Sequence, residues 1–266
     1  MDLGLTGKTA IVTGGSRGIG KAIARELARE GVDVAIGARD VATLEATAAE
    51  IAAETGRRVL SVILDTGDDA SVAAMVQHVQ AEFGHIDILV NAAARAGGQG
   101  PALTLETTTA EAFWEDANIK VLGYLRCAQA VAPLMKAQGW GRIVNISGLA
   151  ARQAGTIIGS MRNVAVSALT KNLADELGPF GINVTVVHPG TTRTERTPAA
   201  MAGVAERAGI TVEEAERRVA EGNSVRRWIT SEDIAYVVTM LASPRSIAIN
   251  GDAVAAGGGT PRAIYY

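Results

Sequence analysis

The residues best suited to chemistry near the start of the chain are Thr13-Gly14-Gly15-Ser16-Arg17-Gly18-Ile19-Gly20. Four glycines fall within seven residues, directly after the apolar run Thr9-Ala10-Ile11-Val12. Glycine lets a backbone turn sharply and approach a ligand with no Cβ in the way. The segment that follows has Ile19, Ile23 and Leu27 at helical spacing and closes at Gly31. A strand, a glycine loop and a helix start thus follow one another. Unpaired N–H groups and the positive end of the helix dipole would face a bound anion there, which suits a pyrophosphate. The spacing GxxxGxG is not GxGxxG, and no Gly-Lys-Ser/Thr follows, so this is not a Walker A loop.

Such a loop must be held by a sheet, and the rest of the chain supplies one. Val34-Ala35-Ile36, Val59 to Leu64, Ile86 to Val90, Arg142 to Ile146, Ile182 to Val187 and Ala253-Val254-Ala255 read as further strands. They are continuous apolar runs, as expected where helices cover both sheet faces. Helical periodicity lies between them: Val41, Leu44, Ala48 and Ile51; then Val72, Met75, Val79 and Phe83; then Ala112 to Gln138 and Ile157 to Leu177. Ser231, with Glu232 and Asp233 behind it, opens another helix. The alternation predicts an α/β fold, a doubly wound parallel sheet of about seven strands with helices on both faces and ligands at the carboxyl ends of its strands. Residues 1–266 are expected to form one domain. The stretch from Thr191 to Ser224 is long for a loop, and its Ala/Glu/Arg-rich part from Pro198 to Glu221 predicts two short helices forming a substrate lid at about 191–224.

Composition narrows the function classes. Hydrophobic residues make up 48% of the chain and charged residues 20%, which suits a globular core rather than disorder. A net charge of −3 gives no electrostatic case for nucleic acid. One cysteine, Cys127, excludes an internal disulfide, and three scattered histidines offer no metal spacing. No apolar run approaches a membrane span, and Met1-Asp2-Leu3-Gly4 lacks signal-peptide character. The expectation is a cytoplasmic protein with a small-molecule substrate, no nucleic acid, no membrane and no metal.

Taken together these residues resemble the short-chain dehydrogenase/reductases along nearly the whole chain. Thr13-Gly14-x-x-x-Gly18-x-Gly20 is similar to that family's nucleotide loop, with Ser16, Arg17 and Ile19 inside it. Asp65 matches the acid that meets the adenine. Asn91-Ala92-Ala93-Ala94 resembles the family's Asn-Asn-Ala-Gly, with only its first Asn and first Ala kept. Pro189-Gly190 with Thr194 matches the Pro-Gly-x-x-x-Thr segment that contacts the nicotinamide carboxamide. The resemblance implies a Rossmann-like fold and a nicotinamide cofactor. It also implies a homodimer or homotetramer in which the two long helices pair across a two-fold axis. NAD-preferring members end the second strand on an acid, whereas this chain has Ala38 and then Arg39. A guanidinium can grip a 2′-phosphate bidentately, and Arg17 could reach the same group, so NADP is expected over NAD.

The catalytic positions depart from the family. Its members reduce carbonyls with a Tyr-x-x-x-Lys pair, the Tyr giving the proton and the Lys holding the ribose. Counting back from Leu169-Thr170-Lys171 puts Gly159 at the Tyr position and Asn163 at the Lys position. The family's serine falls on Gly148 or, one residue earlier, on Ser147. Counting back from Ala130-Val131-Ala132-Pro133 puts Lys120 at the family's asparagine. Asn118 fits only with two residues inserted, and an uninterrupted helix favours Lys120. Lys and Asn thus stand exchanged between two helices. Lys120 is the expected replacement proton donor, with Tyr124 as the alternative, Ser147 as a second donor and Asn163 still able to hydrogen-bond the ribose. Tyr124, one turn from Lys120, belongs either beside it or at a subunit interface. His188 reads as a packed histidine. Arg95, Arg152 and Arg193 follow strand ends, either as rims for an anionic substrate or as solvated loop residues. The first class of function is an NADP(H)-dependent oxidoreductase for a carbonyl, alcohol or imine. The second is a nucleotide-binding protein without hydride transfer, regulatory or acting as a lyase or isomerase.

Overall fold

Strand residues alternate between two cores, because successive Cβ atoms point to opposite faces of a sheet. In the computed structural model Ala10, Val12, Val34, Ile36, Ile88 and Val90 feed one core, while Ile11, Ala35, Leu89 and Ile143 feed the other. The structure describes residues 2–94, 104–261 and 264. The strands that pair are β1 (Thr9–Thr13), β2 (Asp33–Ala38), β3 (Val59–Ile63), β4 (Ile88–Asn91), β5 (Gly141–Ile146), β6 (Ile182–Pro189) and, after two short strands, β9 (Ala253–Ala256). They form a 7-stranded sheet in the order β3-β2-β1-β4-β5-β6-β9, parallel throughout. The short strands β7 (Thr192–Arg193) and β8 (Ile229–Thr230) pair with each other. The order reverses between β1 and β4, which opens a crevice at the carboxyl ends of those strands.

Helices α1 (Gly18–Arg29) and α9 (Ser231–Ala242) cover one face. Helices α3 (Asp69–Phe83), α5 (Gly123–Gln138) and α6 (Ile157–Leu177) cover the other. Local chemistry sets several starts. Asp40 caps α2 (Val41–Thr55) by accepting from Thr43 N at 3.0 Å, and Thr230 with Asp233 forms a capping box on α9. The stretch from Thr191 to Ser224 does contain two helices, α7 (Thr197–Ala208) and α8 (Val212–Glu221), packed through Met201, Ala205 and Ala215. Among the described residues no helix is long and apolar enough to cross a membrane.

One expectation needs correction. The helix expected from Ala112 to Gln138 begins at Ala110 and is not uninterrupted. α4 (Ala110–Ala117) and α5 are joined by a wide π turn, Asn118–Leu122. Such a turn carries a surplus residue and leaves backbone carbonyls without their usual helical partners. Partners come from outside the helix. Thr66 Oγ1 donates to Ile119 O at 2.9 Å, and Arg126 Nη1 donates to Asn118 O at 3.1 Å.

Candidate active site

A cleft of about 770 Å³ lies at the carboxyl ends of the strands. Gly14, Ser16, Arg17, Gly18, Ile19 and Gly20 line it from the β1–α1 loop, and Arg39 and Asp65 line it from the ends of β2 and β3. Pro189, Gly190 and Thr194 form the opposite wall after β6. These eleven expected cofactor residues therefore share one cleft. Two glycines there are obligatory. Gly14 has φ +69°, and a Cβ on Gly20 would stand 2.2 Å from Gly14 O. The N-cap of α1, Arg17, offers no side-chain acceptor to the helix. Instead a carboxylate oxygen of Glu195, from the turn just before α7, accepts from Gly18 N at 3.2 Å. The loop thus already holds an anion at its helix start, the chemistry a pyrophosphate requires.

Two arginines, Arg17 and Arg39, stand at the β2 end of the cleft. Arg17 Nη2 donates to Asp40 Oδ2 and Thr43 Oγ1, both at 2.7 Å, which fixes the guanidinium at the cleft wall. Arg39 is exposed on the cleft and, among the described residues, forms no ion pair with a carboxylate. Asp65 accepts from Gly67 N at 2.8 Å and keeps its carboxylate at the cleft.

Asn91 differs from expectation. It does not line the cleft: its side chain is fully buried and donates from Nδ2 to Asn145 Oδ1 at 2.9 Å. Asn145 donates on to Thr170 Oγ1 at 2.9 Å. Asn91 therefore ties β4 to β5 and α6 behind the site, and its backbone position sends Ala92 and Ala93 forward to the wall.

Lys120 points inward. It sits in the wide turn, is 4% exposed and lines the cleft. Its Nζ donates to Ser147 O at 3.0 Å and to Asn163 Oδ1 at 3.1 Å. Burial pushes its pKa down to about 7, the Arg162 charge pushes the same way, and Asp116 opposes. Asn118, by contrast, turns away and donates to Gly67 O at 3.2 Å.

The two companions of Lys120 behave differently from their expected roles. Asn163 is absent from the cleft wall, and its amide oxygen accepts from Lys120, which leaves its amide N–H groups uncommitted by that bond. Ser147 does line the cleft, but its hydroxyl proton goes to Asn163 O at 3.0 Å. It is therefore left as an acceptor and not a second donor. Tyr124 is buried inside the protein, not at an exposed face, and donates to Ile146 O at 3.0 Å. Burial raises its pKa far above the ordinary phenol value, so it is a poor proton donor.

His188 is packed as expected, and its pKa is lowered to about 4, by burial first and then by the charges of Arg152 and Lys120. Arg152 Nη2 donates to Ala253 O at 2.8 Å. Arg193 pairs with Glu216 at 2.7 Å and lies over the Trp228 ring at 4.7 Å, so it ties β7 to α8 instead of rimming the cleft as a free cation. Arg95 lies outside the described residues.

Comparison with known proteins rests on this same frame. The family model described as "Enoyl-(Acyl carrier protein) reductase" matches residues 14–260. The short-chain reductase protein NovJ of Streptomyces niveus is 36% identical over 254 residues, 95% of this chain and 93% of that protein. The chain belongs to the short-chain dehydrogenase/reductase family. Another member, the NADPH-dependent reductase BacG of Bacillus subtilis, is 29% identical over 260 residues, 97% of this chain and 99% of the relative. The crystal structure of L-sorbose reductase from Gluconobacter frateurii, complexed with NADPH and L-sorbose, superposes with a TM-score of 0.91 at 30% identity. That match covers 99% of this chain and all of the other. The Rossmann-like doubly wound fold of this family member is thus the fold of its reductase relatives.

Three contributors lay outside the sequence reading: Glu195, the Asp116–Arg162 pair and Thr66. Only Asp116 carried a sequence signal, as an acid four residues before Lys120.

Proposed function

We propose that this family member is an NADP(H)-dependent oxidoreductase acting on the carbonyl, alcohol or imine of a small organic molecule, with Lys120 as the proton donor. The observation that carries this reading is the buried Lys120 amine at the cleft wall. An ammonium has three N–H donors. Two go to Ser147 O and Asn163 Oδ1, and the third is left for an oxygen or nitrogen in the cleft. A pKa of about 7 matches proton exchange near neutral pH in either direction. The ammonium gives its proton to the nascent alkoxide in reduction, and the amine takes the hydroxyl proton in oxidation.

The dinucleotide fits the residues present, because Glu195 already offers the α1 start an anion. When bound, the cofactor supplies or accepts the hydride. Gly14, Ser16, Gly18, Ile19 and Gly20 would hold its pyrophosphate, Asp65 its adenine, and Pro189, Gly190 and Thr194 its nicotinamide end. Arg39 and Arg17 at the β2 end support NADP over NAD. In the same reading residues 1–266 act as one domain in the cytoplasm, with α7 and α8 as the lid. Exposed Trp114, Met161 and Val164 on α4 and α6 support a homodimer or homotetramer built on those helices.

Lys120→Met should retain NADPH binding and lower turnover on a responsive carbonyl by at least about 10²-fold. Unchanged turnover would remove Lys120 from the chemistry. A second reading, nucleotide binding without hydride transfer, is supported by Gly159 in place of the phenol and by the turned Ser147 hydroxyl. It takes over if a broad carbonyl panel leaves bound NADPH unoxidised.

A further inference from the structure

Lys120 is joined to α6 by its bond to Asn163, and a second clasp joins the same two segments beside it. Arg162 Nη1 donates to both carboxylate oxygens of Asp116, at 2.7 and 2.5 Å. Asp116 stands on α4 four residues before Lys120, and Arg162 directly precedes Asn163. The Arg162 and Asp116 side chains are only 15% and 16% exposed. Charges so placed act through protein more than through water, where they are weakly screened.

We propose that the Asp116–Arg162 ion pair is a positioning element for Lys120, holding its amine in the cleft wall and setting how readily the amine releases its proton. The inference deepens the proposed function and rests on Lys120 as the proton donor.

Among the described residues, the other titratable groups near the amine do not change charge across the neutral range. Tyr124, from α5, stays protonated. His188, from β6, is neutral above about 4, and Arg152 acts on His188. Just past the end of β5, Lys120 meets a carbonyl, Ser147 O. Among the described residues the charges acting on the amine are Arg162, which disfavours the ammonium, and Asp116, which favours it, with Arg162 the stronger. The pair is therefore not neutral as felt at Nζ. Its two halves pull in opposite directions, which separates this role from a purely structural one.

The test is a titration of Lys120 in the full-length protein carrying 13C-ε lysine, followed by NMR, with the signal assigned by its loss in Lys120→Met. Asp116→Asn leaves the cation and should lower the midpoint. Arg162→Gln leaves the anion and should raise it. Each displacement should reach at least about half a pH unit, given charges at this depth. The double variant should fall between the parent and Arg162→Gln, and Arg162→Lys should stay close to the parent. If a single variant does not fold, the double variant and Arg162→Lys decide between the same outcomes. Midpoints that move together, or not at all, overturn the proposal. The pH profile of kcat/KM should follow the NMR midpoints. If the midpoints split in opposite directions while the activity profile does not move, the ion pair stands and the assignment of Lys120 as proton donor fails.

Discussion

Replacing Lys120 with methionine should change how stability depends on pH, whatever the substrate proves to be. In the folded protein the amine releases its proton near pH 7, against 10.5 for an ordinary lysine. Between those two values the unfolded chain holds a proton that the native protein has shed. Stability of the parent must therefore rise with pH, by up to about 1.4 kcal/mol per pH unit. The sign follows from a base whose folded pKa is depressed. Its cost is fully present below the folded value and disappears as pH rises to the unfolded value. At neutral pH that cost is about 4 kcal/mol. The Lys120 bonds to Ser147 O and Asn163 Oδ1 offset part of it, about 1 kcal/mol for each bond. Methionine has neither the cost nor the bonds. The advantage of Lys120→Met over the parent should thus shrink by about 2 kcal/mol from about pH 7 to about pH 9. Urea unfolding at several pH values in that interval reads this directly. Cys127, Tyr124 and the surface groups are common to both proteins and cancel in the difference. Parallel stability curves would refute the argument, since they would mean that the native amine keeps its proton.

Three further outcomes are expected. Arg39→Asp should reverse the preference from NADPH to NADH in a fluorescence titration, because a carboxylate repels a 2′-phosphate; a parent that already favours NADH contradicts this. Glu195→Gln should tighten NADPH binding by about 2- to 5-fold in calorimetry, since it removes a charge that competes for the α1 start; weaker binding would show that the carboxylate assists instead. Met161→Asp should give a monomer in light scattering where the parent gives the proposed dimer or tetramer, because Met161 is 52% exposed on α6; a monomeric parent would refute the proposed assembly.

The strands and the glycine loop could be read from the sequence because their constraints are local. A strand buried on both faces tolerates few polar residues, and a loop with φ +69° at Gly14 needs glycine. The regular register of α5 carries a count from Ala130–Pro133 only as far as Gly123, and Lys120 lies three residues beyond it, inside the wide turn. The wide turn itself left no mark in the periodicity. It depends on Thr66 and Arg126, which reach it from outside its own five residues. The same holds for Ser147, Asn163 and Asn91. Residue type established that each could bond, but the choice of partner came from packing between distant segments. Glu195 reaches the glycine loop across 177 residues of sequence, beyond any local pattern.

The wide turn at Asn118–Leu122 makes the helix behind the cleft two rods with a spare link between them. Each rod keeps its own angular register, so the apolar stripe of α5 against the sheet does not dictate which way α4 faces. Removing one residue from the link would restore a regular turn and swing whatever precedes it by about 100° about the axis. Asp116 would then leave Arg162, while Asn163 and Ser147 stayed where they are. The side chain offered to the cleft is thus chosen by the length of the link as much as by its composition. A lineage could exchange that side chain by gaining or losing one residue there, with neither rod repacked against the core.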